Sequence, residues 1–421
     1  MLPIASLEVL ENGLKLVYVP DDHVEGVCFG VFVASGSRHE PAAYAGISHF
    51  IEHMLFKGTK TRSALDLTTA IEGRGGNFNA YTNEEGTCFF AQMPYDALAT
   101  AVDVIGDMYA HAAIPDDEFA RERGVVLEEL KMYADEPDSV ASENLSRALF
   151  PKNPLGLPIV GSVETLQKMT PATLRAYLRR AYVPRATCIV VAGRFEHAVV
   201  RRLVEKTFGD LDGGEPLTFT PLNRRTRPVR EVSATRDVQQ VQLALGFRCF
   251  GAHASEKKKS AANVFDCLMG RTMSSRLFQS VREKRGLSYD IHSQLQFFED
   301  VGGWAVTAGL DATKTEPALE TIEKEFARIR ARAPSAAEVR RTKDYLLGNF
   351  RLGLENQRAR MFFFGACVQT YGEIRTPQEI VKGIEAVTAA DVHAVANEIL
   401  DDRLKSLSWV TPKENAAPSR A

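Results

Sequence analysis

The spacing of apolar and polar residues near the start of the chain predicts strands interleaved with helices. Two apolar runs within residues 14–34, rich in Val and Phe, flank a polar turn and indicate two strands. Apolar positions then recur at helical spacing over residues 45–56 and 64–72, and the second of these runs ends at a glycine-rich segment. Residues 78–94 show strand patterns on both sides of a Glu-Gly pair, which predicts a hairpin, and a helical pattern follows over residues 96–112.

The second half of the chain repeats this order of elements. A strand pattern at 241–250 and a helical pattern at 260–270 mirror the start, and residues 286–310 mirror the hairpin. Pro334 then begins a long helix, as Pro115 does in the first half. We interpret this order as an ancient duplication of one α+β unit of about 200 residues.

Composition between the halves indicates where the domains meet. Residues 209–228 are rich in Gly, Pro and charge, which is typical of a linker. We therefore predict an N-terminal domain at 1–212, a linker at 213–228 and a C-terminal domain at 229–412. The remaining residues, 413–421, are predicted to form a disordered tail.

The overall composition excludes several classes of protein. The net charge is −3, so no strong field attracts nucleic acid or anionic lipid, and neither is expected as a partner. The first residues lack a basic stretch followed by an apolar run, and no run approaches ~20 uninterrupted apolar residues, so we expect neither a signal peptide nor a membrane span. The six cysteines are scattered without a Cys-x-x-Cys pair, which indicates reduced residues in a cytoplasmic protein.

A His-x-x-Glu-His string carries the first candidate chemistry. On a helix, His49, Glu52 and His53 lie within about one third of the circumference, so the two imidazoles stand one turn apart with the carboxylate beside them. This geometry offers two nitrogen ligands for zinc, and a third ligand must come from elsewhere. The alternative is that one or both histidines are ordinary packing residues, although the complete pattern favours a metal site.

The long helix after Pro115 offers candidates for the third ligand. Its apolar stripe consists of Phe119, Val126, Leu130 and Tyr133. Glu122 and Glu129 lie together on the edge of that stripe, whereas Glu128 lies on the opposite side. A carboxylate at a buried edge needs a partner, which a metal or the second ring nitrogen of a histidine ligand could be. Salt bridges to Arg121, Arg123 or another helix would serve equally well, and helical phase alone leaves both readings open.

The segment HFIEHMLFKGT, followed by a glutamate in ERGVVLEEL, resembles the pitrilysin/insulinase family of zinc metallopeptidases. These enzymes are the inverzincins, whose His-x-x-Glu-His inverts the commoner His-Glu-x-x-His. The length of the chain and its duplicated halves resemble those of the branch that contains mitochondrial processing peptidase and its bacterial relatives. The resemblance covers most of the chain and implies an α+β fold of two homologous α/β-roll halves, each a mostly antiparallel sheet packed against helices.

The resemblance also implies roles for individual residues. His49, His53 and Glu129 would bind one zinc ion (Zn²⁺) per chain. Glu52 would be the general base that takes a proton from water and passes it to the leaving amine. Glu122 would orient one of the zinc ligands.

Further motifs match the substrate side of the family's active site. Asn79, Ala80 and Thr82 match an edge strand that pairs with the backbone of a peptide substrate. In the second half, Arg282 and Tyr289 match an Arg/Tyr pair that reaches toward the substrate near the zinc and would stabilise the oxyanion.

The second half departs from the metal-binding pattern. Its equivalent helix carries Asn263, Asp266 and Cys267 in place of the His-x-x-Glu-His residues, and its long helix offers Gly348 or Asn349 where the glutamate would fall. We therefore expect one zinc ion per chain. The segment NQRARMFFFGA, in which relatives also carry an Arg-Met pair, receives no functional assignment.

The predicted function is that of a zinc-dependent endopeptidase acting on short or unfolded peptides. Because this chain carries both the zinc motif and the Arg/Tyr pair, a homodimer with two active sites is the simpler arrangement, and a heterodimer with a related chain is the alternative. Two other functions compete with this one: a non-catalytic partner subunit of a peptidase-like heterodimer, and a different kind of zinc hydrolase.

Overall fold

The computed structural model describes residues 2–413, so most of the predicted tail lies outside the described part of the chain. The strands are β1 (Ser6–Val9), β2 (Lys15–Pro20), β3 (Gly26–Val33), β4 (Asn77–Thr82), β5 (Thr87–Pro94), β6 (Thr187–Gly193), β7 (Glu231–Arg236), β8 (Val241–Phe250), β9 (Ser288–Phe297), β10 (Val301–Leu310) and β11 (Lys405–Pro412). The α-helices are α1 (Ile47–Leu55), α2 (Ala64–Glu72), α3 (Leu98–His111), α4 (Asp116–Asp135), α5 (Pro137–Leu149), α6 (Val163–Lys168), α7 (Pro171–Ala181), α8 (His197–Phe208), α9 (Glu256–Asp266), α10 (Thr315–Ala331), α11 (Ala336–Gly353), α12 (Gln357–Tyr371), α13 (Pro377–Glu385) and α14 (Ala389–Ile399). Within residues 2–413, none of the helices combines the length and the apolar character needed to cross a membrane.

The chain forms two compact units, and neither is continuous in sequence. Unit 1 contains residues 2–130, Pro158–Thr220 and Arg351–Gln378. Unit 2 contains Lys131–Leu157, Pro221–Phe350 and residues 379–413. Helix α5 therefore belongs to the unit built mainly from the second half, and α12 to the unit built mainly from the first. Element order did not predict this exchange, and the continuous domain boundaries given above stay predictions.

Unit 1 is built on a six-stranded sheet in the order β1-β2-β6-β3-β5-β4. The pairing of β2 with β6 is parallel, and the other neighbours are antiparallel. Alternate side chains of β3 point to opposite faces of the sheet. Phe29 and Val31 join the main core with α1 and α3, whereas Cys28 and Phe32 pack with α12. Strand β4 lies at one end of the sheet and pairs with β5.

The exchanged helix α12 approaches the sheet of unit 1 very closely. A Cβ atom on Gly365 would lie 2.3 Å from the ring of Phe32, so only glycine fits at this contact. The Arg360 guanidinium pairs with the carboxylate of Asp21, and Gln369 Nε2 donates to the carbonyl of Val33 at 2.9 Å. The NQRARMFFFGA segment, which received no functional assignment, therefore anchors α12 to unit 1.

Unit 2 repeats the same sheet with different helices. Its five strands follow the order β7-β11-β8-β10-β9, in which β7 and β11 are parallel and the other pairs antiparallel. This pattern matches β2-β6-β3-β5-β4 of unit 1 strand by strand. Helix α5 packs on one face through Leu145 and Leu149, and Trp304 is fully buried in the core. Both units are thus mostly antiparallel sheets packed against helices, as predicted.

Candidate metal centre and catalytic residues

Helix α1 carries the His-x-x-Glu-His residues and is fixed at its N-terminus by a buried carboxylate. Gly46, with φ of 95°, turns the chain into the helix. The Glu40 carboxylate accepts the N–H of Gly46 and the N–H of Ser48, both at 2.7 Å. Burial raises the pKa of Glu40 to about 7, and the two N–H donors act in the opposite direction. Glu40 was not among the residues selected from the sequence, because its role depends on how the preceding loop folds back.

His49, His53 and Glu129 lie together in unit 1, and each offers a ligand atom within 4.8 Å of the others. The Oε2 atom of Glu129 is 3.7 Å from His49 Nε2 and 3.4 Å from His53 Nε2. This is the one group of three potential metal ligands in the part of the chain that the structure describes. Two imidazoles and one carboxylate form a donor set of catalytic zinc, which leaves a coordination position for water. The residues present therefore fit a zinc ion.

The two histidines differ in protonation. Burial lowers the pKa of His49 to about 4, so its imidazole is neutral and able to act as a ligand at neutral pH. Burial also opposes the charged form of His53, but hydrogen bonds and charge from Glu122 and Glu129 outweigh it and raise the pKa of His53 to about 9. Without an ion, Glu122 and Glu129 thus keep His53 protonated, and a metal would have to displace that proton to bind.

Glu122 contacts His53 on the side opposite Glu129. Its Oε1 accepts a hydrogen bond from His53 Nδ1 at 2.9 Å, and its Oε2 pairs with Lys57 Nζ at 2.6 Å. Because Nδ1 carries the donated proton, Nε2 of the neutral ring presents its lone pair on the Glu129 side. Arg121, one of the alternative partners considered for the two glutamates, instead pairs with Asp117 at 2.8 Å and with Glu118 at 2.7 Å.

Glu52 is held in place by a threonine of the edge strand. Thr82 Oγ1 donates to Glu52 Oε2 at 2.6 Å. Burial raises the pKa of Glu52, while the bond from Thr82 lowers it. Thr82 was selected from the sequence as a substrate-binding residue, and its bond to the carboxylate is an additional contact that the sequence did not indicate.

Asn79 and Ala80 lie on β4 at the end of the sheet. The Asn79 side-chain oxygen accepts the N–H of Ala80 at 2.8 Å, so a main-chain donor of the edge strand is bonded to its own neighbour. An added strand could replace this local bond with a main-chain bond.

Arg282 and Tyr289 lie in unit 2. Arg282 is in a short π-helical segment, Phe278–Glu283, and Tyr289 is near the start of β9. The guanidinium carbon of Arg282 is 5.2 Å from the ring centroid of Tyr289, and the tyrosine is 79% exposed. The structure therefore brings these two residues together and leaves the phenol accessible.

The inverted motif on α1, the glutamate on α4 and the repeated sheet define a protein of the M16 peptidase class. Residues 16–163 match the family model described as insulinase (peptidase family M16), and residues 168–346 match the model described as peptidase M16 inactive domain. The chain belongs to this family, and the resemblance drawn from its motifs is confirmed.

Its relatives include bacterial proteins of nearly the same length. The chain is 32% identical over 405 residues to an uncharacterized zinc protease, YmxG, of Bacillus subtilis (strain 168). The aligned residues cover 96% of this chain and 98% of the Bacillus protein. It is 34% identical over 417 residues to an uncharacterized zinc protease of Streptomyces coelicolor, covering 98% and 90% of the two chains.

Solved structures confirm the fold of two homologous halves. A protease from Helicobacter pylori superposes with a TM-score of 0.93 at 22% identity, covering 98% of this chain and 100% of that one. A peptidase M16 inactive domain from Pseudomonas fluorescens superposes with a TM-score of 0.90 at 18% identity, covering 99% and 100%.

Proposed function

We propose that the protein is a zinc-dependent endopeptidase that hydrolyses short or unfolded peptides. The observation that carries this proposal is the convergence of His49, His53 and Glu129, with the Glu52 carboxylate fixed beside them by Thr82. The relatives named as zinc proteases support the choice of metal.

The residues of α1 and α4 have separate roles in this proposal. His49, His53 and Glu129 hold the ion, and Glu122 keeps His53 in the tautomer that leaves Nε2 free to bind it. When bound, zinc supplies Lewis acidity, which polarises a scissile carbonyl and makes a water molecule more acidic. The three donor residues, helix α1 and the part of α4 up to Leu130 belong to unit 1.

Glu52 moves the proton in the proposed reaction. Its Oε2 accepts the hydroxyl of Thr82, so Oε1 receives the proton of the attacking water and returns it to the leaving amine. The raised pKa of this buried carboxyl favours such an exchange, since the proton is held more readily than by an exposed glutamate. We assign oxyanion stabilisation to Tyr289 with Arg282, the accessible donors of unit 2.

An extended peptide would bind by adding a strand to β4. Main-chain hydrogen bonds at Asn79 and Ala80 tolerate many sequences, which suits a peptidase of broad specificity. Strand addition requires an extended backbone, so short or unfolded peptides should be cleaved and compact globular proteins should resist. Efficient cleavage of a native globular protein would contradict this.

Replacement of the general base tests the mechanism. Glu52→Gln keeps the size of the side chain and an acceptor for Thr82, but it cannot take up a proton. Zinc content should stay near that of the wild type, and cleavage of a fluorogenic peptide should fall by about 10²–10⁴-fold. Glu128→Gln, the same change at an exposed position of α4, is the control and should leave cleavage unchanged. A wild type without zinc after mild purification, or an active Glu52→Gln variant, would refute the proposal.

We further propose a homodimer in which unit 2 of one subunit completes the metal centre of the other. The test uses two inactive variants, Glu52→Gln and Tyr289→Phe, purified alone and as a co-expressed mixture. If the sites form between subunits, a mixed dimer contains one site with both residues intact, and activity returns. If the mixture stays inactive although the two variants, carrying different affinity tags, co-purify as a dimer, the site is completed within one chain. A stable monomer with full activity would exclude the dimer.

The competing function is a non-catalytic partner subunit. Such a subunit would not need an aligned base and three converging ligands, all of which are present here. A heterodimer remains the alternative assembly, and co-purification of a related chain would favour it.

A further inference from the structure

Lys57 lies one helical turn beyond His53, just after the end of α1, and its ammonium contacts a buried carboxylate. Lys57 Nζ is 2.6 Å from Glu122 Oε2, and the side chain of Glu122 is only 7% exposed. The other oxygen of the same carboxylate accepts from His53 Nδ1 at 2.9 Å. One carboxylate therefore joins the lysine to a proposed zinc ligand.

The backbone that carries Lys57 is held in place from both sides. Its N–H bonds to the carbonyl of Met54 at 3.1 Å, which keeps it on the last turn of α1. The following loop is tied to α3, because the Asp107 carboxylate accepts from Thr59 Oγ1 and from Arg62, each at 2.7 Å. The ammonium thus approaches Glu122 from a fixed position rather than from a mobile surface loop.

Charge explains why such a cation is needed at this position. Glu52, Glu122 and Glu129 place three carboxylates around the two histidines. A divalent ion would balance two negative charges, and Lys57 balances the third. Without it, a buried carboxylate would be left with excess charge next to the ion, which is costly and would draw Glu122 toward the metal.

We propose that Lys57 is a positioning residue of the metal centre. By holding Oε2 of Glu122, it keeps the carboxylate on the Nδ1 side of His53, so that Nε2 remains aimed at the ligand position beside Glu129. Lys57 thereby separates the roles of the two glutamates of α4: Glu129 binds the ion and Glu122 orients the histidine. This inference rests on the proposed zinc function.

The zinc dissociation constant, measured by competition with a chromophoric chelator, tests the inference. Lys57→Met keeps the aliphatic stem and removes the charge, and it should weaken zinc binding about tenfold, the lower end of the range for partners of metal ligands. Lys57→Arg restores a cation and should recover most of the affinity. Lys60→Met, a lysine change in the same loop, is the matched control and should leave zinc binding unchanged.

The outcomes separate this inference from the proposed function and from a purely structural role. If the wild type fails to bind zinc, both the function and the inference fall. If the wild type binds zinc and Lys57→Met binds it equally well, only the inference falls, even if the thermal midpoint of the metal-free variant drops. Should Lys57→Met not fold, Lys57→Gln takes its place. Its amide can still donate to Glu122 but carries no charge, so a smaller loss of zinc affinity is expected, and unchanged affinity would overturn the inference.

Discussion

The metal-free protein should hold His53 protonated at neutral pH. Burial alone would lower the pKa of this imidazole, but Glu122 and Glu129 raise it from 6.5 to about 9. At 1.36 kcal/mol per unit, the preference of the folded state for the charged ring is on the order of 3 kcal/mol. Because the pKa is raised on folding, this stabilisation is complete below the unfolded value and is lost as the pH rises through about 9.

Histidine-selective NMR of the metal-free protein measures this directly. We expect the ring signals of His53, assigned by their loss in His53→Asn, to titrate near pH 9. Glu122→Gln should move the titration to lower pH, because one of the two carboxylates loses its charge. Zinc should abolish the titration, since a ligand imidazole is neutral. Titration of His53 at or below the ordinary value of 6.5 would refute the reasoning, because it would mean that burial outweighs both carboxylates.

Two further changes test the support of the site and the exchanged helix. Thr82→Val removes the donor to Glu52 and should lower kcat by about tenfold with zinc content unchanged, because hydrogen bonds to charged groups are worth about 1.5–3 kcal/mol; Thr82→Ser should restore most of the rate, and equal rates for both variants would contradict this role. Gly365→Ala should destabilise the protein by about 1–3 kcal/mol, since the added methyl group meets the ring of Phe32. Gly348→Ala is its control: apart from the adjoining residues and backbone of its own helix, no atom lies within 4 Å of the added carbon, so the change should be neutral or slightly stabilising in thermal unfolding.

The helical period of the sequence predicted which residues of α1 and α4 would face the candidate metal centre. His49 and His53 are one turn apart on α1, and helical phase placed Glu122 and Glu129 on the buried edge of α4. Phase alone did not show which glutamate faces which nitrogen of His53, because both lie on the same edge. That distinction depends on how the two helices pack, which the structure supplies and local sequence does not encode.

Contacts between elements distant in sequence were the ones that sequence analysis missed. Glu40 at the start of α1, Lys57 beyond its end and the bond from Thr82 to Glu52 all depend on the path of a loop or the register of a strand against the helix. The exchange of α5 and α12 was missed for a related reason. Their apolar faces predict burial but do not identify the sheet that covers them.

The second unit shows how closely the position of the acidic residue follows the geometry of the shared fold. Asp266, at the end of α9, occupies the motif position of Glu52, and it accepts a hydrogen bond from Ser293 Oγ at 2.7 Å. Ser293 lies on β9, the strand at the same end of the sheet as β4 in unit 1. In both units, therefore, a hydroxyl of the edge strand donates to the acidic residue of the helix, and burial raises the pKa of that acid.

What differs between the units is the access to the acid. Trp304 Nε1 also donates to Asp266, at 2.9 Å, and the fully buried indole leaves the carboxylate 1% exposed. Asn263 and Cys267 stand where the two histidines would be, and the asparagine amide donates to the carbonyl of Lys259 in its own helix. The bond between strand hydroxyl and helix acid thus occurs without metal ligands in unit 2, which indicates that it belongs to the fold. In unit 1 the corresponding hydrogen bond, from Thr82 to Glu52, fixes the position of Glu52. A hydrogen bond shared by both duplicated units therefore also orients the proposed base.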